Sequence, residues 1–202
     1  MIERKIGAVT LIYPVASLVE PVPFHTLFSA AQPLEVELGS GDGSFLAQYA
    51  GRQPARNFIG VERLLGRLRK LDRKGLRAGL TNLRVLRIEA SYFVEYLLPS
   101  ESVSALHIYF PDPWPKRKHH KNRLINERFT RLAHRVLAPG GVIYLRTDNV
   151  EYFEWMLAAF AGSPQFQAVE TPVELRGLVT DFEREFNAQG IPTRHAAYQK
   201  QG

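Results

Sequence analysis

Leu34-Glu35-Val36-Glu37-Leu38-Gly39-Ser40-Gly41-Asp42-Gly43-Ser44-Phe45 decides the fold. A short apolar run, read as a strand over Leu34 to Leu38, passes directly into three glycines at alternate positions and then into a segment of helical period, Ser44 to Ala50. The same alternation repeats downstream. Strands are expected at Asn57 to Val61, Leu83 to Ile88, Val103 to Tyr109 and Val142 to Arg146. Helices are expected at Arg63 to Arg77, Tyr92 to Leu98, Asn126 to Val136 and Glu151 to Phe160. Strand–helix alternation with right-handed crossovers builds a doubly wound, mostly parallel sheet with helices on both faces. Ala138-Pro139-Gly140-Gly141 reads as a helix stop and turn, and Gln165 to Thr171 with His195 to Lys200 as a closing antiparallel pair.

In such a sheet ligands bind beyond the carboxyl ends of the strands, where the glycine loop lies. Glycine there permits a tight turn and lets a ligand reach main-chain atoms that a Cβ would screen. The second strand ends in Gly60-Val61-Glu62, and an acid at that place can accept both hydroxyls of a ribose. A dinucleotide-binding loop would carry a third glycine at its sixth position, where this chain has Ser44, and Glu37 and Asp42 would repel a pyrophosphate. An acidic glycine loop instead suits a cofactor bearing an ammonium and a sulfonium, S-adenosylmethionine. Glu89, at the end of the third strand, is placed to meet an adenine amino group.

Composition narrows the partners and the chemistry. The 202 residues are 45% hydrophobic and 23% charged, near the globular average, and contain no cysteine, which removes disulfides, thiolate metal sites and cysteine nucleophiles. No apolar stretch approaches the roughly 18 residues of a spanning helix. The opening Met1-Ile2-Glu3-Arg4-Lys5, with prolines at 14, 21 and 23, has no secretory core, so the expected place is the cytoplasm, away from membranes. The net charge of +6 is unevenly spread: residues 51 to 150 hold 20 basic and 8 acidic side chains. On a helix, Arg63, Arg67, Lys70, Lys74 and Arg77 share one face and Leu64, Leu68, Leu71 and Ala78 another. Lys116-Arg117-Lys118-His119-His120-Lys121 with Arg123 forms a second, loop-like cluster. Two basic clusters in one domain point to a polyanion such as RNA. His119 and His120 have no third ligand at a recognisable spacing, so no metal is expected.

After the fourth strand the chain reads Phe110-Pro111-Asp112-Pro113-Trp114-Pro115-Lys116. Proline disfavours the helical region for the residue before it, which predicts extended backbone at Phe110, Asp112 and Trp114. Asp112 is thereby held at the carboxyl edge, where a transferred methyl would point, and Trp114 is a candidate for stacking on a base.

The glycine loop with Glu37, the Gly60-Val61-Glu62 strand end, the Asp112-Pro113-Trp114-Pro115-Lys116 loop and Thr180-Asp181-Phe182-Glu183 together resemble the bacterial tRNA (guanine-N7)-methyltransferase family. The resemblance runs in order from about residue 35 to about residue 200. It implies a Rossmann-like class I methyltransferase fold with a seven-stranded sheet in one domain, residues 31–202, behind an N-terminal extension, residues 1–30. It also implies methyl transfer from S-adenosylmethionine to N7 of the variable-loop guanosine of tRNA, guanine 46. By position, Glu37, Gly39, Gly41, Glu62, Glu89 and Asp112 look like cofactor contacts, and Asp112 takes the catalytic place. Lys116, Asp148, Thr180, Asp181, Phe182 and Glu183 look like the residues that hold the substrate. The chain departs from the family at Asp42, where a lysine or apolar residue is common, at Glu89, where Asp or Asn is usual, and at Asn122, where a further basic residue is expected.

Guanine N7 carries a lone pair and no proton, so its attack on a methyl needs no general base; orientation and charge stabilisation suffice. Asp148, Asp181 or Glu183 could accept hydrogen bonds from guanine N1–H and N2–H₂. Three rivals fit less well: a methyltransferase acting on an exocyclic amine, an RNA-binding module without activity, and an NAD-dependent dehydrogenase. Monomer and homodimer fit the sequence equally.

Overall fold

The computed structural model describes residues 10–202. The charged opening Met1 to Lys5, read above for its want of a secretory core, lies outside the described residues. Among the described residues eight strands form one sheet: β1 (Ile12–Tyr13), β2 (Leu34–Leu38), β3 (Asn57–Val61), β4 (Leu83–Leu86), β5 (Val103–Tyr109), β6 (Leu137–Thr147), β7 (Phe166–Val169) and β8 (Arg194–Lys200). Their order is β1-β4-β3-β2-β5-β6-β8-β7, and β8 alone runs antiparallel to its neighbours. Seven strands were expected. The eighth is β1, a two-residue strand of the N-terminal stretch that pairs in parallel with the outer edge of β4.

Both faces of a mostly parallel sheet must be covered, and the strand sequences are accordingly apolar on both. On one face pack the π-helical turn Phe93–Leu97, α4 (Glu127–Val136) and α5 (Val150–Ala161), through Phe93, Leu97, Phe129, Ala133, Tyr152 and Met156. On the other lie α1 (Leu46–Arg52), α2 (Leu65–Arg77) and α6 (Val173–Arg176), through Leu46, Tyr49, Leu68, Leu71 and Leu175. Four short elements complete the described residues: the 3₁₀ segments Phe24–Thr26 and Arg117–Asn122, α3 (Ala90–Tyr92) and α7 (Asp181–Ala188). Among the described residues no helix is long and apolar enough to cross a membrane.

Three local expectations are corrected. Leu64 is not on the apolar face of α2. It precedes the helix in extended backbone and is 48% exposed, while Leu68 and Leu71 are fully buried. Ala138 to Gly141 do not break β6 away from the preceding helix: the strand begins at Leu137, and the four residues form a bulge opposite Val103 and Ala105, with Gly140 at positive φ. The expected helix from Tyr92 to Leu98 is a short α-turn, Ala90–Tyr92, followed by the π-helical turn.

The chain leaves β2 toward β3 on one side and returns from β4 to β5 on the other, so the crevice between the carboxyl ends of β2 and β5 is the topological switch point. The glycine loop borders that crevice, and its last glycine locks it to α2. A Cβ built on Gly43, whose φ is +77°, would stand 2.2 Å from Leu71 Cδ1. We expect Gly43→Ala to lower stability by about 1–3 kcal/mol, from steric overlap and left-handed strain together. A denaturant melt with no drop in midpoint would refute the close approach.

Candidate active site

Two adjoining clefts of about 430 and 290 Å³ open at the switch point and share Gly39, Arg67, Tyr109, Phe110 and Asp112 as walls. The smaller runs along Val61, Glu62, Leu64 and Glu89 at the ends of β3 and β4; the larger is bounded by Glu37, the glycine loop and the start of α7. Asp112 therefore stands where the two meet.

The glycine loop is held at its base by the N–H groups of Gly39 and Ser40, which both donate to the Val61 carbonyl at 2.9 Å. Above it the space is open: nothing lies within 4 Å of a Cβ built on Gly39, and only the Gly39 carbonyl oxygen, at 4.0 Å, is near one built on Gly41. Glu62 clamps the far side, accepting from Gly41 N–H at 3.1 Å through Oε2 and from Leu64 N–H at 2.7 Å through Oε1. Asp42 accepts from Lys74 Nζ at 2.9 Å, and this partner outweighs the cost of burial and holds the carboxyl below its usual range. Lys74 also reaches Asp181 at 3.9 Å, so one α2 cation touches the glycine loop and α7 together.

Glu37 is different. It is 4% exposed, its Oε2 has no hydrogen-bond partner, and burial pushes its carboxyl up to about 8. The Arg146 guanidinium opposes that shift, whereas Asp42 and Glu62 add to it. A buried polar atom without a partner costs free energy, so its persistence at the wall of a cleft is a mark of a site.

The proline loop differs from expectation. Phe110 and Trp114 are left-handed, at φ 52° and 46°, and not extended. Contacts override the local preference: Phe110 N–H continues the sheet to the Arg146 carbonyl at 2.9 Å and its ring meets Phe182, while the Trp114 ring sits edge-on to His119. Such backbone persists only where its surroundings over-determine it. Arg123, counted above among the cations of the second cluster, is not on the surface. It is 1% exposed, lies against the Tyr152 and Trp155 rings, pairs with Glu151, and donates from Nε to the Pro113 carbonyl at 2.8 Å. It thus pins the loop that carries Asp112. Lys116 is exposed ahead of the 3₁₀ segment Arg117–Asn122.

The remaining candidates divide. Thr180 and Glu183 form a reciprocal cap on α7, each accepting from the other's backbone N–H, at 3.0 and 2.8 Å. Glu183, 2% exposed, also receives Arg146 Nη1 at 3.1 Å, so its carboxylate is engaged inside the protein and does not face the cleft. Thr180, Asp181 and Phe182 do line the larger cleft, with Asp181 paired to Arg184. Asp148, partly buried just past β6, lines neither cleft. Glu89 borders the smaller cleft but also caps α3, accepting from Ser91 and Tyr92 N–H. Tyr109 and Glu185, which no sequence motif marks, also line the larger cleft, as do Arg67 and Lys70 of the α2 stripe. Arg67 and Lys70 were visible as a stripe, but nothing local marks Glu185. Among the described residues no group of three His, Cys, Asp or Glu is arranged to hold a metal ion.

Comparison with known proteins bears on this geometry. Residues 31–196 match a family described as "Putative methyltransferase". The chain is 36% identical over 178 residues to the tRNA (guanine-N(7)-)-methyltransferase of Syntrophotalea carbinolica, covering 86% of this chain and 77% of that protein. The chain belongs to that family. A Geobacillus kaustophilus member is 36% identical over 83% of this chain and 79% of its own length, and a Halorhodospira halophila member 38% identical over 70% and 61%. The methyltransferase fold is shared with more distant proteins. The 16S rRNA methyltransferase KamB superposes with a TM-score of 0.65 at 19% identity, over 89% of this chain and 93% of its own. TrmN from Thermus thermophilus superposes with a TM-score of 0.58 at 21% identity, over 84% of this chain and 45% of its own.

A carboxyl raised to about 8 gives a pH signature. Between its ordinary value of 4.5 and about 8, Glu37 is ionised in the unfolded chain but protonated in the fold. The fold then binds the extra proton, so the contribution is complete below pH 4.5 and is lost as pH rises through 8. We expect Glu37→Gln to flatten this part of the thermal-stability profile of the ligand-free protein and to raise its Tm at pH 8.5. Parallel profiles for the two proteins would show that Glu37 is not buried neutral.

Proposed function

We propose that the chain transfers a methyl group from S-adenosylmethionine to N7 of a guanosine in tRNA, position 46 of the variable loop. The observation that carries this reading is the unpartnered, buried Glu37 carboxyl beside an open glycine loop, one wall away from Asp112. These residues fit the cofactor: Glu37 takes an ammonium, Glu62 ribose hydroxyls, Gly39 and Gly41 leave the main chain accessible, and Glu89 lies at the adenine end. When bound, that group supplies an electrophilic methyl on a sulfonium. Binding an ammonium favours the ionised form of Glu37, so near neutral pH the protein releases a proton as the site fills.

The chain's own work on the substrate is orientation. Asp112, on a loop pinned by Arg123, sets a carboxylate where positive charge grows on the purine ring. Phe182, 47% exposed, offers a ring to stack on the base. Lys116 with Arg67 and Lys70 meets phosphates, and Asp148 contacts the RNA outside the clefts. Thr180 and Glu183 serve the substrate by fixing the α7 wall that presents Asp181 and Phe182. The protein acts as a single domain over residues 31–202, with its N-terminal stretch laid onto the sheet edge through β1, in the cytoplasm, as monomer or homodimer, without a metal.

Purified protein incubated with labelled S-adenosylmethionine and tRNA transcripts, one with guanosine and one with adenosine in the variable-loop position, is expected to yield 7-methylguanosine from the first alone. Label in both transcripts refutes the site, and label in neither refutes the reaction. In the same assay Asp112→Ala is expected to lower single-turnover rates about 10²–10³-fold with a modest loss of cofactor affinity; unchanged rates would remove Asp112 from the mechanism.

A further inference from the structure

We infer that Glu185 is the residue that reads the guanine base, by accepting both donors of its Watson–Crick edge; this rests on the guanosine reading proposed above. Among the RNA bases only guanine presents two donors side by side, N1–H and N2–H₂, and a carboxylate with both oxygens free meets them with two parallel hydrogen bonds. The acids of the larger cleft are Glu37, Asp42, Asp112, Asp181 and Glu185. Glu37 is buried at the foot of the glycine loop, Asp42 is held by Lys74, and Asp181 is paired with Arg184. Asp112 stands at the junction of the two clefts, on the loop assigned to the reacting end. Glu183, one of the acids the sequence offers for this edge, is turned inward to Arg146. Glu185 lines the cleft, is exposed, and has no hydrogen-bond or ion-pair partner among the described residues.

Its position on α7 strengthens the assignment. Phe182 and Glu185 are three residues apart and share a helix face, so an exposed ring and a free carboxylate stand side by side on one wall. The ring itself is braced edge-on by Phe110 and Phe186, at centroid distances of 5.2 and 4.5 Å. A purine stacked on Phe182 and held at its N1/N2 edge by Glu185 has N7, on the opposite edge, turned away from α7 and toward the rest of the cleft. There the buried Oε2 of Glu37 independently marks the cofactor end. One contact thus selects the base and aims the atom.

The test compares guanosine with inosine, which lacks only the N2 amine, at the target position of one tRNA transcript. Wild-type protein is expected to favour guanosine by about tenfold in kcat/KM, because inosine leaves one carboxylate oxygen without its donor. Glu185→Gln is expected to lower the guanosine value and to bring the ratio within about threefold of one, with S-adenosylhomocysteine affinity unchanged by calorimetry. Glu185→Asp, which keeps the carboxylate, is expected to retain part of the preference. An unchanged guanosine-to-inosine ratio in Glu185→Gln overturns the inference, as does wild-type protein that methylates both transcripts equally. No methylation of any guanosine transcript by wild-type protein is a different failure, that of the underlying reaction.

Discussion

A single buried guanidinium holds the α6–α7 side of this molecule to its sheet. Arg146, on β6 and 1% exposed, donates to the carbonyls of Leu175 and Leu178 and to the Glu183 carboxylate, and its guanidinium lies 4.2 Å from the centre of the Tyr109 ring. The carbonyls belong to the end of α6 and the turn after it, the carboxylate to α7. Without that cation the buried Glu183 carboxylate would lose its counter-charge and the Leu178 carbonyl its donor, a loss of several kcal/mol. The wall that presents Phe182 and Glu185 to the cleft exists because Arg146 closes these bonds, and the same charge tempers the burial of Glu37 across the site.

A second buried polar chain supports the floor. Glu35 and His107, on neighbouring strands β2 and β5, are joined at 2.7 Å, and the other ring nitrogen of His107 meets the Tyr109 hydroxyl at 2.8 Å. Burial would raise the Glu35 carboxyl, but His107 and Arg56 together keep it low. Tyr109 is therefore fixed at both ends, by His107 at its hydroxyl and by Arg146 across its ring, and it separates the sheet from both clefts. Polar groups under a binding site rigidify it when every member is satisfied.

The split between what the sequence disclosed and what it hid follows the range of the interactions. Strands β2, β3 and β5 were bounded correctly because apolar runs and glycine stops are local signals, and the glycine and proline loops fell at the sheet edge for the same reason. The backbone of Phe110 and Trp114 was misread because a pre-proline preference is weak beside a sheet hydrogen bond and aromatic packing. Thr180 and Glu183 were recognisable as a motif, yet their capping geometry hides the carboxylate's second duty toward Arg146, 37 positions away in the chain. Arg123 was counted with the surface cations because its neighbours in sequence are basic; the rings that enclose it come from α5. Glu185 has no local pattern at all, and only the placement of α7 distinguishes it from the acids around it.

The packing of Gly43 against Leu71 also relates two parts that are usually thought of separately. The glycine loop frames the cleft, and α2 carries the row of Arg67, Lys70, Lys74 and Arg77. Because the loop is seated directly on that helix, Arg67 and Lys70 form part of the wall of the cleft and Lys74 is drawn onto the loop through Asp42. Loop and helix therefore move as one body: any shift of α2 carries Arg67, Lys70 and the foot of the glycine loop together, so the shape of the cleft and the charge of its wall change in step.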